Sequence, residues 1–233
     1  RRLYSRLCQA EISANPQQEE KRNLWYRHNK LEKVRPMVLV FPEGSWIEII
    51  DESQLEVQNP YWKEWEWYFK HLIYRHQNLH DDLVIEPDIY VDAVIHRTGW
   101  GLESKLIKPD YSKGAWHYEL ALKDSDDIKK LTYPVIEIDK QATQNRFDMV
   151  KEMFGDILPA HIHYISRIDA NLIGEVTSLR GIDQIMIDMY DRPEWVHEFM
   201  TFITEGTLRV IKYFEKNGYL SLKTLLQQLH QLM

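Results

Sequence analysis

Cysteine is nearly absent from this chain: Cys8 is the single one in 233 residues. One thiol cannot close a disulfide within the chain, so a reducing, cytoplasmic compartment is the expected home. Long apolar runs are missing too. None approaches the roughly 18 residues that would span a bilayer, and no secretory apolar core stands near the start, so no membrane partner is expected. Basic charge is in deficit, with 29 Lys and Arg against 36 Asp and Glu and a net charge of −7. That balance argues against a dedicated nucleic-acid binder, which needs a basic stripe to neutralise phosphates. The basic opening (Arg1, Arg2, Arg6) is too short to reverse it. No Gly-rich fingerprint follows an apolar run, so neither a dinucleotide fold nor a P-loop is supported. An initiating Met is also lacking; residue 1 is Arg, and the native start is expected to lie upstream or to have been removed.

What is there is ordinary globular composition, 44% hydrophobic and 28% charged, enough for one large domain or two small ones. Gln17 to Val34 is rich in helix formers and is expected to stop before Arg35-Pro36, because the residue preceding a proline is pushed out of the helical region. Met37 to Phe41 is a continuous apolar run between prolines, the pattern of a strand buried on both faces. Asn59-Pro60 opens a helix whose Trp62, Trp65, Phe69, Leu72, Ile73 and His76 share one stripe. Asp82 to Ile95 reads as extended. Leu102 to Ile107 and the alternating run Trp116 to Leu122 predict a β-hairpin. Val135-Ile136 predicts a short strand, and a helix follows from about Asp139 to Gly155. Ala160 to Ile168 is again extended, with helical stretches over 171–179 and 181–190. Asp191-Arg-Pro-Glu194 has the spacing of a capping box at the head of a long helix that Asn217-Gly218 ends. Tyr219 to Leu222 would begin another strand.

Strands alternating with helices predict an α/β protein with a parallel sheet. Four or five barrel strands are expected, where a closed (βα)8 TIM barrel needs eight.

Three stretches carry a family resemblance. Leu179-Arg-Gly-Ile-Asp-Gln-Ile-Met-Ile-Asp-Met-Tyr-Asp-Arg-Pro-Glu-Trp-Val-His-Glu-Phe199 resembles the uroporphyrinogen decarboxylase-like superfamily, in which a similar segment joins a helix, a D-x-P-E cap and a long helix. Arg35-Pro-Met-Val-Leu-Val40 and Glu86-Pro-Asp-Ile-Tyr-Val-Asp-Ala-Val-Ile-His-Arg-Thr-Gly-Trp-Gly101 look like the same family's uncharacterised members. The resemblance spans roughly residues 20 to 220. It implies a partial (βα)8 barrel with a hairpin insertion over 19–222, after an undetermined segment 1–18 and before an amphipathic, non-family tail 223–233. It also implies a decarboxylase or methyltransferase ancestry, a tetrapyrrole-type or corrinoid-linked substrate, a corrinoid protein as partner, and homodimers. The chain departs from the decarboxylases at Phe41-Pro-Glu-Gly-Ser-Trp46, where they carry an arginine-rich motif, and around Ala170-Asn-Leu172, where their tyrosine is unmatched. The methyltransferases hold zinc through His-x-Cys and a distant Cys, which Cys8 does not supply. Zinc or a corrinoid is therefore expected only in intact relatives.

In such a barrel the chemistry gathers at the C-terminal ends of the strands. Applied to the expected strands, that rule selects Glu43 and Trp46, then His96 and Arg97, then Arg167 and Asp169. Histidine is the side chain best suited to proton transfer at physiological pH, so His96, with Glu43, is the candidate acid/base. Arg97 and Arg167 would clamp an anionic group beside Trp46 and Asp169. The plainer alternative makes all six loop residues or internal ion pairs. His161-x-His163 sets two imidazoles on one strand face, though no third metal ligand accompanies them. The aromatic cluster Trp62, Trp65, Trp67, Tyr68 and Phe69 suits stacking on a planar ligand or base, but its helical spacing favours core packing. The tail places Leu222, Leu225, Leu226, Leu229 and Leu232 on one helical face where the family has a strand and Gly-rich loops; the expected reading is a frame interruption or an acquired tail, the alternative an amphipathic helix covering an open sheet edge. A chain cut short in this way is expected to be inactive by itself and to associate with itself or a partner chain.

Overall fold

The computed structural model describes residues 9–102, 104–107, 117–165 and 170–220. In chain order these form α1 (Gln9–Ser13), α2 (Pro16–Asn29), α3 (Trp46–Ile49), α4 (Pro60–Tyr74), β1 (Ile89–Asp92) and β2 (Val94–Arg97). The hairpin strands β3 (Lys105–Ile107) and β4 (His117–Glu119) follow, then β5 (Ile136–Asp139), α5 (Lys140–Phe154) and β6 (Ala160–His163). Three helices close the described chain: α6 (Leu172–Arg180), α7 (Ile182–Asp191) and α8 (Pro193–Lys216). The protein is of mixed α/β class. It divides into two compact units, one built from the described residues up to 92 with 141–165, the other from 93–140 with 170–220.

In the first unit α4 begins as its sequence predicts. The Asn59 side chain accepts from the Trp62 amide at 3.3 Å, and Pro60 takes the first helical position, where its missing N–H costs nothing. Trp65, Phe69 and Leu72 are buried, a stripe at helical spacing. Trp65 and Phe69 pack with Ile89 and Val91 of β1 and with Val150 and Phe154 of α5. β1 and β6 run parallel in the register Ile89↔Ala160 to Asp92↔His163. Because side chains alternate along a strand, Ile89 and Val91 face these helices while Tyr90 and Asp92 take the opposite face.

Two expectations fail in this unit. Helix α2 stops at Asn29 rather than Val34: Leu31 turns left-handed (φ 60°), and the Glu32 amide reaches back to the Arg27 carbonyl at 3.0 Å, closing the helix before Pro36 can act. Residues 37–41 form no strand either. Their backbone is served by two carboxylates, with Val38 N donating to Asp82 Oδ2 at 2.8 Å and Val40 N to Asp81 Oδ2 at 3.1 Å. The Arg75 guanidinium donates to Val40 O at 2.8 Å and also pairs with Asp81. Served this way the segment needs no neighbouring strand, and Val38 and Phe41 stay exposed.

The second unit holds two antiparallel ladders, β2 with β5 and β3 with β4, the latter being the expected hairpin pair. Its core joins Trp100, Leu122, Val176, Phe199 and Ile203 under α6, α7 and α8. The predicted capping box at Asp191 does not form. Asp191 is the last residue of α7, and Arg192 precedes Pro193 without a side-chain cap bond, while its guanidinium is drawn to Asp188. Among the described residues the strands form three separate two-stranded ladders, and β1–β6 is the one parallel pair. The expected set of four or five side-by-side parallel strands is therefore not assembled.

Candidate functional site

The C-terminal end of β1 opens into a hollow of about 740 Å³ lying wholly within the first unit. Its walls are aromatic: Tyr61, Trp65, Trp67 and Tyr68 from α4 and Tyr90 from β1. Regular spacing along α4 puts several rings on neighbouring turns, and the packing of Trp65 against Phe69 and Phe154 fixes the wall from behind. Burial pushes the Tyr68 phenol well above its ordinary range, with the nearby Tyr90 adding to the effect, so Tyr68 is a neutral surface here. Burial raises Tyr90 as well, helped by Asp88 and Glu86.

Charged groups sit at the edges of this hollow. Lys63 is neutralised by Glu52 at 2.6 Å. Arg146, exposed on α5, lines the hollow, and among the described residues no carboxylate pairs with it. Asp92, the last residue of β1, lines it too, and its Oδ1 lies 2.6 Å from Nδ1 of the buried His163. One strand turn earlier His161 pairs with Asp88 at 2.9 Å, so each imidazole of the His-x-His pair meets its own carboxylate. Among the described residues no group of three or more His, Cys, Asp or Glu is placed to hold a metal ion.

The residues singled out from sequence are not gathered here. Glu43 lies exposed on a short 3₁₀ turn with a left-handed φ of 48°, and it is not part of the hollow. Trp46 is buried, its ring 4.0 Å from that of His71 and edge-on to Trp67 and Tyr74, so it packs as core. His96 and Arg97 belong to β2 in the second unit, exposed and opposite Glu137 and Ile136. Arg97 is paired with Glu175 at 3.0 Å, a carboxylate that also accepts from the Trp100 indole at 2.8 Å. Arg167 and Asp169 lie outside the described residues, as do Cys8 and the tail 222–233.

Asp92, Tyr90 and Arg146 are the residues that sequence reasoning missed. The strand-end rule depends on where a strand ends, and in sequence Asp82 to Ile95 reads as one extended run. The ladder in fact breaks at Ala93, where β1 ends and β2 begins against a different partner. The rule applied at Asp92 selects the hollow; applied three residues later it selects His96.

No family model matches the chain, and neither a curated protein nor a solved structure matches it. No described helix is long and apolar enough to cross a membrane.

Proposed function

We propose that the chain is the front portion of a uroporphyrinogen decarboxylase-like βα-barrel, and that the hollow at the end of β1 takes its small-molecule substrate. The observation that carries this reading is the placement of the hollow. It sits at the C-terminal end of a strand in a parallel pair, the location where βα-barrels carry out chemistry. The end of β1 supports it, since Asp92 lines the hollow beside rings of α4 and Arg146 of α5. Aromatic walls suit a flat, largely apolar ligand, and the volume lies within the range of about 300–1,000 Å³ usual for such sites. A tetrapyrrole-type or corrinoid-linked substrate, the class implied by the resemblance over 179–199, fits those walls. In this reading Asp92 is the proton-transferring group and Arg146 holds an anionic substituent.

The test is titration with coproporphyrin III and, separately, hydroxocobalamin, followed by tryptophan quenching. Saturable binding weakened about tenfold by Asp92→Ala and by Tyr90→Ala is expected. Failure of both compounds to bind, or binding indifferent to both substitutions, removes the reading.

A second reading, an inactive partial barrel that acts by association, is favoured by one feature of the second unit. Ile182, Met186, Met189 and Tyr190 follow one side of α7 and are all exposed, Tyr190 to 89%. An apolar stripe of this kind marks a contact surface.

A further inference from the structure

We infer that His163 is the positioning residue of this site, holding the Asp92 carboxylate in one orientation at the edge of the hollow. The inference rests on the proposed use of the hollow and adds what controls its carboxylate. In the parallel ladder Asp92 and His163 are register partners, so their side chains leave neighbouring strands on the same face. The 2.6 Å separation of Nδ1 and Oδ1 is that of a direct, short hydrogen bond. The two ends of the pair differ sharply: the imidazole side chain is 2% exposed and the carboxylate side chain 53%. Packing fixes the donor, and the donor in turn fixes a group that ligand and water can reach.

The position of the proton follows from the other ring nitrogen. His163 Nε2 is buried and has no hydrogen-bond partner. A proton there would be a buried donor with no acceptor, a costlier orphan than a bare lone pair. The proton therefore sits on Nδ1 and is donated to Asp92. One carboxylate oxygen is thereby occupied, and the other, with the negative charge, remains for an N–H or O–H of the ligand. The Asp88–His161 pair is the contrast on the same strands: it uses Nε2, and its ring is 45% exposed, so water competes for both partners.

Two measurements on the full chain decide the matter. Nitrogen-15 spectra of the imidazoles in the ligand-free protein are expected to show His163 protonated at Nδ1, a signature lost in Asp92→Ala. Binding of coproporphyrin III is expected to stay within about threefold of the parent in His163→Asn, whose amide N–H stands where Nδ1–H does, and to fall about tenfold or more in His163→Gln and His163→Phe. An Nε2-protonated His163, or equal weakening in the Asn and Phe variants, overturns the inference. If the porphyrin does not bind at all, the proposed function fails, and the spectra still decide the state of the pair.

Discussion

Gly206 of α8 lies directly against the indole of Trp100: a Cβ at that position would stand 2.7 Å from Cη2 and 3.0 Å from Cδ1 of Tyr133. Helix interiors disfavour glycine, so alanine here gains about 1 kcal/mol of propensity. Overpacking a rigid indole costs about 1–3 kcal/mol, and the indole has little room because its N–H is tied to Glu175 at 2.8 Å. Gly206→Ala is therefore expected to lower the melting temperature. Pairing it with Trp100→Phe, which removes the clashing ring, should recover much of the loss in the same assay.

Asp188 gives the second unit an acid-sensitive joint. Burial alone would raise its pKa, but donors from Arg180 (2.8 Å), Gln184 (2.9 Å) and Arg192 outweigh that and bring it down to about 2. A carboxylate depressed in the folded state contributes stability that is complete above its ordinary value of 3.8 and is lost as pH falls toward 2. The contribution is about 2 kcal/mol. Urea unfolding across that window should show the loss. Asp188→Asn should flatten this part of the pH dependence and cost about 3 kcal/mol at neutral pH, since it leaves the buried Arg180 without its counter-charge.

Asp82 stands in for a strand. Its carboxylate accepts from the Val38 amide and from Arg35, and its own amide donates to Val38 O at 2.8 Å. The Arg35 bond, with the Val38 amide, keeps its pKa below the usual carboxylate range. Asp82→Ala is expected to cost about 1–3 kcal/mol and to speed amide exchange at Val38 and Val40 relative to α4. Unchanged exchange at Val38 would mean that this carboxylate does not hold the segment.

If the apolar stripe on α7 is a contact surface, a charge at its centre should loosen it. Met186→Glu is expected to shift sedimentation toward smaller species while leaving helical content intact, because Met186 is 63% exposed and contributes little to the core. A parent chain that sediments as a monomer at all concentrations removes the second reading.

Periodicity made the helices legible, because α4, α5 and α8 carry apolar stripes and unambiguous starts or stops. The hairpin was legible from alternation flanking a loop with Pro109 and Gly114. Composition cannot distinguish a strand from an extended segment such as 37–41, whose Val38 and Val40 amides are taken by Asp82 and Asp81. The spacing of a capping box at Asp191 does not reveal that the preceding helix runs through to that residue. Strand direction was the least visible property. β2 and β5 contain the β-branched residues expected of parallel strands, yet they pair antiparallel through partners that lie far apart in sequence. Of the candidate site, sequence shows only the His161-x-His163 spacing, which reads as an incomplete metal pair, while Asp92 lies inside a run with no visible break.

The parallel ladder of β1 and β6 has a consequence for synthesis. Residues 93–159, which include the strands and turns of the other unit, emerge from the ribosome after Asp92 and before Ala160. Throughout that interval β1 shows a bare edge, and the carboxylate at its end has no imidazole to meet. The long helices that follow each return of the chain can form at once. The hollow must wait for α5, and the buried His163 for the strand after that.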